Sequence, residues 1–404
     1  MSLSASGLVA AGRTSAQRPS IACFIILSAC PEPWGGSEEL WCATAKELAA
    51  AGNRVSVVKT IIAENHFRIR ELREVCASID DFHNHHEPTG AQKFSKLIPR
   101  RFREPKDPAL SWLRDHIETA APSLVVISLG ESGDALDWTD LCRSIRMPYA
   151  LICHKAADQN WPHDRDRARM RDAYTAAERV FFVSHHNREL TELQIGTQLD
   201  NAEIVKNPVL TSNALPLDWP AGTSKNLRLA CVGRLNAREK GQDLLLKVLA
   251  LKKWQQRPIE VNIFGQGPNS QSLGAASDWL GTKNIQFRGF VSDPSSIWQD
   301  HHALVLPSRA EGLPITLLEA MLCGRPAIVC AAGGTAEMVD EAITGFVANV
   351  DSINSLDNAL ERAWSRRSDW QAMGRLAWQK ASEFVPANPG AILANKLLEM
   401  TRCQ

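Results

Sequence analysis

Short apolar runs recur along the chain. Each stops at a glycine- or proline-bearing loop and gives way to a stretch with helical spacing of its apolar positions. Runs of that kind, bounded by turn residues, read as strands buried on both faces of a parallel sheet. In the first half they fall at 21–27, 55–58, 124–128, 149–153, 179–183 and 203–206. In the second half they fall at 227–232, 259–264, 285–287, 304–306 and 327–329. The intervening polar-apolar stretches predict helices over 37–51, with Ser37 as its cap and Gly52 at its end, and over 242–252. A further helix is predicted over 314–323. Pro314 suits its first position, and Gly324-Arg325-Pro326 stops it. Another helix starts at Thr335, and three more close the chain at 352–367, 369–384 and from the Pro386/Pro389 break to 401. Strands alternating with helices give an α/β architecture with parallel sheets.

The chain has 404 residues, which suits two domains better than one. Residues 211–224 are rich in proline, glycine and serine and read as the linker between them. The reading is therefore a tail at 1–18, a first domain over 19–212, a second over 213–385, and a last helix at 386–404. Residues 61–120 are less regular. Lysine and arginine total 45, as do aspartate and glutamate, and this balance argues against nucleic acid as the main partner. No apolar run approaches the ~20 residues of a membrane helix. Residues 1–18 lack a signal-peptide core and read as a disordered tail, so a cytoplasmic location is expected. The ten cysteines form no C-x-x-C pair, and several lie in predicted strands, which fits buried, reduced thiols.

The candidate chemistry lies in the loops after the strands, where open α/β sheets bind ligands. After the first strand comes PEPWGG, whose Gly35 and Gly36 let a ligand approach the backbone; no G-x-G-x-x-G is present. His154 directly follows a strand end. Arg234 and Lys240 flank one strand-to-helix loop after Gly233, a pair suited to the charge of a diphosphate. Further on come Gly265-Gln266-Gly267-Pro268, then Gly289-Phe290, then Glu311-Gly312-Leu313-Pro314 with Glu319 in the helix behind it. Two carboxylates spaced along one rim suit sugar hydroxyls, and the helix N-terminus between them favours an anion. His83, His85, His86 and Glu87 match no common zinc spacing, so no metal site is expected. Residues 93–103 mix basic and apolar side chains; they suit a peripheral contact with a lipid surface or an anionic acceptor, or simply an exposed loop.

Together these motifs resemble the retaining, nucleotide-sugar-dependent glycosyltransferases of family four, which have the two-Rossmann (GT-B) fold. The second domain carries most of the likeness: Val232-Gly233-Arg234, Lys240-Gly241, Gly265-Gln266-Gly267-Pro268, Gly289-Phe290-Val291, and 307–346 with Glu311 and Glu319 at the E-x7-E positions. The first domain offers Gly35-Gly36, His154, Ser184 and Asn207-Pro208. The resemblance implies two parallel sheets facing across a cleft, with hinge motion near 211–224 and where the last helix crosses back. It implies transfer of a hexose from a UDP- or GDP-linked donor to a saccharide, lipid-linked or small-molecule acceptor, in polysaccharide, glycolipid or cell-envelope synthesis. Arg234 and Lys240 would hold the diphosphate, Glu319 the ribose, and Glu311 the sugar. Main-chain groups of Gly312, Leu313 and Pro314 would assist, Gly289-Phe290 would meet the base, His154 the sugar or reaction centre, and Gly36 the phosphate. No cofactor is implied, since the nucleotide sugar is a substrate and the cations replace a metal. One departure is Gln266, where many members have aspartate. A nucleotide-sugar 2-epimerase of the same fold, or a non-catalytic nucleotide-sugar-binding subunit, are the alternatives.

Overall fold

The computed structural model describes residues 21–85, 107–209, 215–220 and 226–402. The first domain runs β1 (Cys23–Ser28), α1 (Gly36–Ala50), β2 (Arg54–Lys59), α2 (Phe67–Val75), β3 (Ser78–Asp81), α3 (Pro108–Ala120), β4 (Leu124–Leu129), α4 (Leu136–Ser144), β5 (Tyr149–Cys153), α5 (Asp164–Ala176), β6 (Arg179–Phe182), α6 (His185–Ile195) and β7 (Ala202–Ile204). The second runs β8 (Leu227–Val232), α7 (Ala237–Lys240), α8 (Gln242–Leu249), α9 (Lys252–Gln255), β9 (Ile259–Phe264), α10 (Ser270–Leu280), β10 (Ile285–Gly289), α11 (Pro294–Asp300), β11 (Ala303–Leu306), α12 (Ile315–Leu322), β12 (Ala327–Cys330), α13 (Thr335–Met338) and β13 (Gly345–Ala348). Helices α14 (Ile353–Ser365), α15 (Trp370–Phe384) and α16 (Pro389–Arg402) complete the chain.

Two separate sheets result, ordered β3-β2-β1-β4-β5-β6-β7 and β10-β9-β8-β11-β12-β13, with every strand pairing parallel. This is the expected α/β class. Strands β4, β5, β11 and β12 are buried along their whole length, on both faces. Ile25 and Leu27 enter one core of the first sheet, and Phe24 and Ile26 enter the other. The strand order reverses between β1 and β4, and again between β8 and β11. Such reversals open a crevice at the carboxyl ends of the strands, because the flanking helices leave in opposite directions.

The last helix returns to the first domain, as expected. Leu393, Ala394 and Leu397 share a core with Leu40, Trp41, Ala45 and Leu48 of α1. Asn388 donates to Glu47 at 2.8 Å, and Lys396 to Glu203 at 2.5 Å. In the second domain Arg325 is fully buried and faces main-chain oxygens. It donates to the carbonyl of Trp298 through Nε at 3.0 Å and Nη2 at 2.7 Å, and to that of Asp218 at 2.7 Å. Residues 215–220 are thereby held to the second domain.

Several local expectations are corrected. Gly35, in extended backbone, precedes α1, which has no side-chain cap; Ser37 lies inside the first turn. Pro314 stands just before α12 rather than within it, because its ψ of 122° is extended. The helix predicted over 242–252 breaks at Leu251, whose ψ is 135°. The one at Thr335 lasts a single turn, its hydroxyl being bonded to the carbonyls of Cys330 and Ala332. The irregular stretch after residue 60 holds α2, β3 and α3; β3, with two aspartates in four residues, lacks an apolar signature. Strand β13 was also not anticipated. Residues 1–18, His86, Glu87 and 93–103 lie outside the described residues. Among the described residues no helix is long and apolar enough to cross a membrane, and no cluster of three or more His, Cys, Asp or Glu is placed to hold a metal ion.

Candidate active site between the two sheets

Strand β8 ends at Gly233-Arg234, and the loop is packed by backbone contact. A Cβ on Gly265 would lie 2.0 Å from the Gly233 carbonyl oxygen, so the Gly265-Gln266-Gly267 turn presses on the β8 loop through bare main chain. Gly265 N–H donates to the Gly289 carbonyl at 2.7 Å, which ties the end of β10 to the same loop. The Phe290 side chain beyond it is 70% exposed. Lys240 closes α7. Gly241 follows in left-handed backbone (φ 65°), where a Cβ would lie 1.9 Å from the Pro307 carbonyl oxygen after β11. Arg309 crosses this junction. Its guanidinium pairs with Asp243 at 2.6 Å, and its N–H donates to the Glu239 carbonyl at 2.7 Å. The loops after β8 and β11 are thus one rigid unit.

Lys240 and Glu311 meet on this unit, with Nζ 2.7 Å from Oε1, and the Ser308 hydroxyl donates to the same oxygen at 2.8 Å. Glu311 is buried and Lys240 partly exposed. Gly312 follows, with space for nothing larger: a Cβ would sit 1.8 Å from the His154 carbonyl oxygen of the first domain. Leu313 is buried, and its carbonyl lies 3.5 Å from the Asn207 side-chain nitrogen. Behind Pro314, Glu319 is buried in α12. Across the cleft a Cβ on Gly36 would lie 3.2 Å from Ile315 Cδ1, so the N-termini of α1 and α12 approach each other. Two helix N-termini facing one space give it a positive potential, before any side chain is counted.

The first domain supplies His154 at the end of β5, almost fully buried. Neither ring nitrogen has a hydrogen-bond partner among the described residues. Burial lowers its pKa to about 4, so the ring is neutral near pH 7. The neutral imidazole offers a donor and an acceptor.

Some groups in the cleft were not foreseen. Arg234 pairs with Glu32 of the first domain and approaches Glu239 at 3.5 Å. Lys155 Nζ lies 2.6 Å from Glu131 and 3.3 Å from Glu239, bridging the domains. Burial alone would raise the Glu239 pKa, but Lys155, Arg234 and Lys240 outweigh it and hold the carboxyl below its usual value. Glu32 sits in a loop anchored from below. The fully buried Lys59 donates to the carbonyls of Cys30 at 3.0 Å and Glu32 at 2.6 Å, and its charge faces Glu38 at 3.4 Å. Lys155 could have been found from sequence, since it follows His154 at a strand end. Glu32 carried no signal beyond its place in a turn-rich loop. Both cations expected to face a diphosphate thus already hold carboxylates, Arg234 that of Glu32 and Lys240 that of Glu311.

Residues 226–366 match the family model described as glycosyl transferases group 1. The structure superposes on that of HepE from Anabaena in complex with UDP and glucose with a TM-score of 0.71 and 17% identity, covering 94% of this chain and 99% of that one. The fold is GT-B. Among curated proteins, D-rhamnosyltransferase WbpZ of Pseudomonas aeruginosa is 32% identical over 153 residues, 37% of this chain and 39% of that protein. A GDP-mannose-dependent alpha-(1-6)-phosphatidylinositol monomannoside mannosyltransferase of Mycolicibacterium smegmatis is 30% identical over 144 residues, 33% of this chain and 37% of that protein. The chain therefore matches well under half the length of these two relatives. In this GT-B frame, Arg234, Lys240, Glu311 and Glu319 all belong to the segment that the family model spans, and His154, Gly35 and Gly36 come from the facing domain.

Proposed function

We propose that the chain is a glycosyltransferase that moves a hexose from a UDP- or GDP-linked donor to a hydroxyl acceptor with retention of configuration, in the synthesis of a polysaccharide, glycolipid or other cell-envelope glycan. The observation that carries this reading is the convergence of Arg234, the Lys240–Glu311 pair and His154 on one cleft, beside two helix N-termini. The group 1 match over the second domain supports it, as do neighbours and relatives whose names include UDP, GDP-mannose and sugar transfer.

The chemistry follows from the side chains. The bond between the anomeric carbon and the diphosphate oxygen breaks, and charge builds on the departing phosphate. Arg234 and Lys240 take up that charge, releasing Glu32 and Glu311 respectively; preorganised cations in a site of this kind are a large contribution to rate. Glu311, freed from Lys240, accepts hydrogen bonds from donor-sugar hydroxyls, and Glu319 from the ribose. The acceptor oxygen attacks from the face the phosphate leaves, and its proton passes to the departing phosphate oxygen. Products are the glycoside and the nucleoside diphosphate. His154, neutral, orients a hydroxyl near the centre. With two cations in this role, transfer proceeds without a metal, and chelator leaves the rate unchanged.

Calorimetric titration of UDP- and GDP-hexoses tests the donor assignment. Binding is expected in the wild type and lost in Lys240→Ala with its circular dichroism intact. Undiminished binding in both Lys240→Ala and Arg234→Ala overturns it. Proton NMR of the product reports the anomeric configuration, and inversion would refute retention. Conversion of the donor sugar at C2 without any acceptor would point to an epimerase instead.

A further inference from the structure

The cleft between the sheets holds a further cation, Lys155, on the first domain's side. It follows His154 at the end of β5, and its main chain is pinned. The Ser132 N–H donates to its carbonyl at 2.9 Å, and the next N–H, of Ala156, donates to the Asn187 side-chain oxygen at 3.1 Å. The His154 carbonyl before it is the group against which Gly312 packs, so Lys155 leaves the first domain beside the loop that carries Glu311.

The side chain then crosses towards the second domain. Nζ lies 2.6 Å from Glu131 Oε1 and 3.3 Å from Glu239 Oε2. That same Oε2 lies 3.5 Å from Nη2 of Arg234. One carboxylate oxygen thus sits between two cations, one from each domain. Both distances exceed the about 2.7–2.9 Å of a charge-assisted N–H···O bond, so this oxygen holds neither cation tightly. The Glu131 contact is short by comparison and fixes Lys155 from its own domain. Burial works against the charge on Lys155, but Glu131 and Glu239 outweigh it and hold the pKa above the usual lysine value. A lysine already matched by Glu131 needs no second acid for neutrality. An anionic oxygen lodged loosely between a lysine and an arginine is what a phosphate supplies, and both side chains are phosphate binders.

We propose that Lys155 is a ligand of the donor's diphosphate, and that the Glu239 oxygen marks the position of an oxygen of the departing phosphate. Glu239 turns aside when that phosphate enters, and Lys155 then faces Arg234 across it. The inference rests on the glycosyltransferase reading and deepens it: charge on the leaving group is taken up from both domains, by Lys155 of the first and by Arg234 and Lys240 of the second. Because Lys155 adjoins His154, on the side of the reaction centre, it meets the sugar-bearing phosphate rather than the one attached to the nucleoside.

Calorimetric titration of UDP, GDP, UMP and GMP into the full chain tests this. The monophosphates lack the outer phosphate and serve as internal controls. Lys155→Met should weaken diphosphate binding by about tenfold or more, the loss of one hydrogen bond to a charged group, and monophosphate binding by less than about twofold. Equal losses for diphosphates and monophosphates are what a purely structural bridge between the domains would give. They overturn the proposal, as does no loss at all. Glu239→Gln reads the other side of the exchange, and it decides alone if Lys155→Met fails to fold. Relief of competition should tighten diphosphate binding by about two- to fivefold, the range of a partly exposed ion pair. Weaker or unchanged binding there would make Glu239 a fixed support of the two cations and defeat the proposal. The wild type keeps the two readings apart. If it binds UDP or GDP and Lys155→Met binds them equally well, only the Lys155 assignment fails. If it binds neither diphosphate, the donor reading itself fails and takes this proposal with it.

Discussion

His154 and Glu32 make the most direct residue-scale claims. Buried His154 has a pKa near 4 against an ordinary 6.5, so between those values the unfolded chain binds a proton that the folded chain refuses. Stability should therefore fall as pH drops from 6.5 towards 4, by up to about 3 kcal/mol from this group. His302, likewise lowered to about 4 by burial, adds in the same direction. Thermal melts across that window check this: His154→Gln should flatten part of the slope, and an unchanged profile would contradict it. Glu32 competes with any anion for Arg234. Glu32→Gln should tighten nucleoside diphosphate binding by a few-fold, on the order of 1 kcal/mol for a partly exposed pair. Equal affinity in the two proteins would show that Arg234 makes no such exchange. Lys240→Ala strands the buried Glu311 carboxylate with Ser308 as its recorded donor. It should lower turnover by about a hundredfold or more, as loss of one charge-stabilising group does, while leaving the fold intact by circular dichroism.

At the scale of elements, the strands were legible because strands buried on both faces must be apolar throughout, and β5, β8 and β9 began and ended where their apolar runs did. The loops were legible too, since glycines mark where backbones touch: Gly265 against Gly233, Gly241 against Pro307. The stretch after residue 60 was not. Strand β3 is short and partly polar, and α2 begins at a histidine cap that no pattern announced. Gly312 shows what such contacts do. Gly312→Ala would place a methyl 1.8 Å from the His154 carbonyl oxygen and push the α12 loop off the first domain. Turnover should fall by about a hundredfold, because a displacement near 1 Å suffices for that. Activity near the wild-type level would mean that the two loops separate during catalysis.

Over the whole molecule, what sequence could not reveal is who faces whom. Glu32 and Arg234 are 202 positions apart, and only the meeting of two sheets makes them partners. The same holds for Lys396 of α16 and Glu203, which are 193 positions apart. Leu393, fully buried against α1, links the end of the chain to its beginning. Leu393→Ala should cost about 2–5 kcal/mol, and its unfolding midpoint in denaturant measures this. A midpoint equal to the wild type would mean that the first domain does not need the returning helix. Domain rotation, expected around 211–224, has to take place outside the part that Arg325 fastens, since 215–220 travels with the second sheet.

Because Arg325 recognises carbonyl oxygens, the fastening is indifferent to which side chains Leu217, Asp218 and Trp298 carry. These bonds constrain the path of the strap, while the Leu217 and Trp219 side chains are held separately by packing on the second domain. Lysine could not replace the arginine, for its single ammonium cannot span the same spread of oxygens.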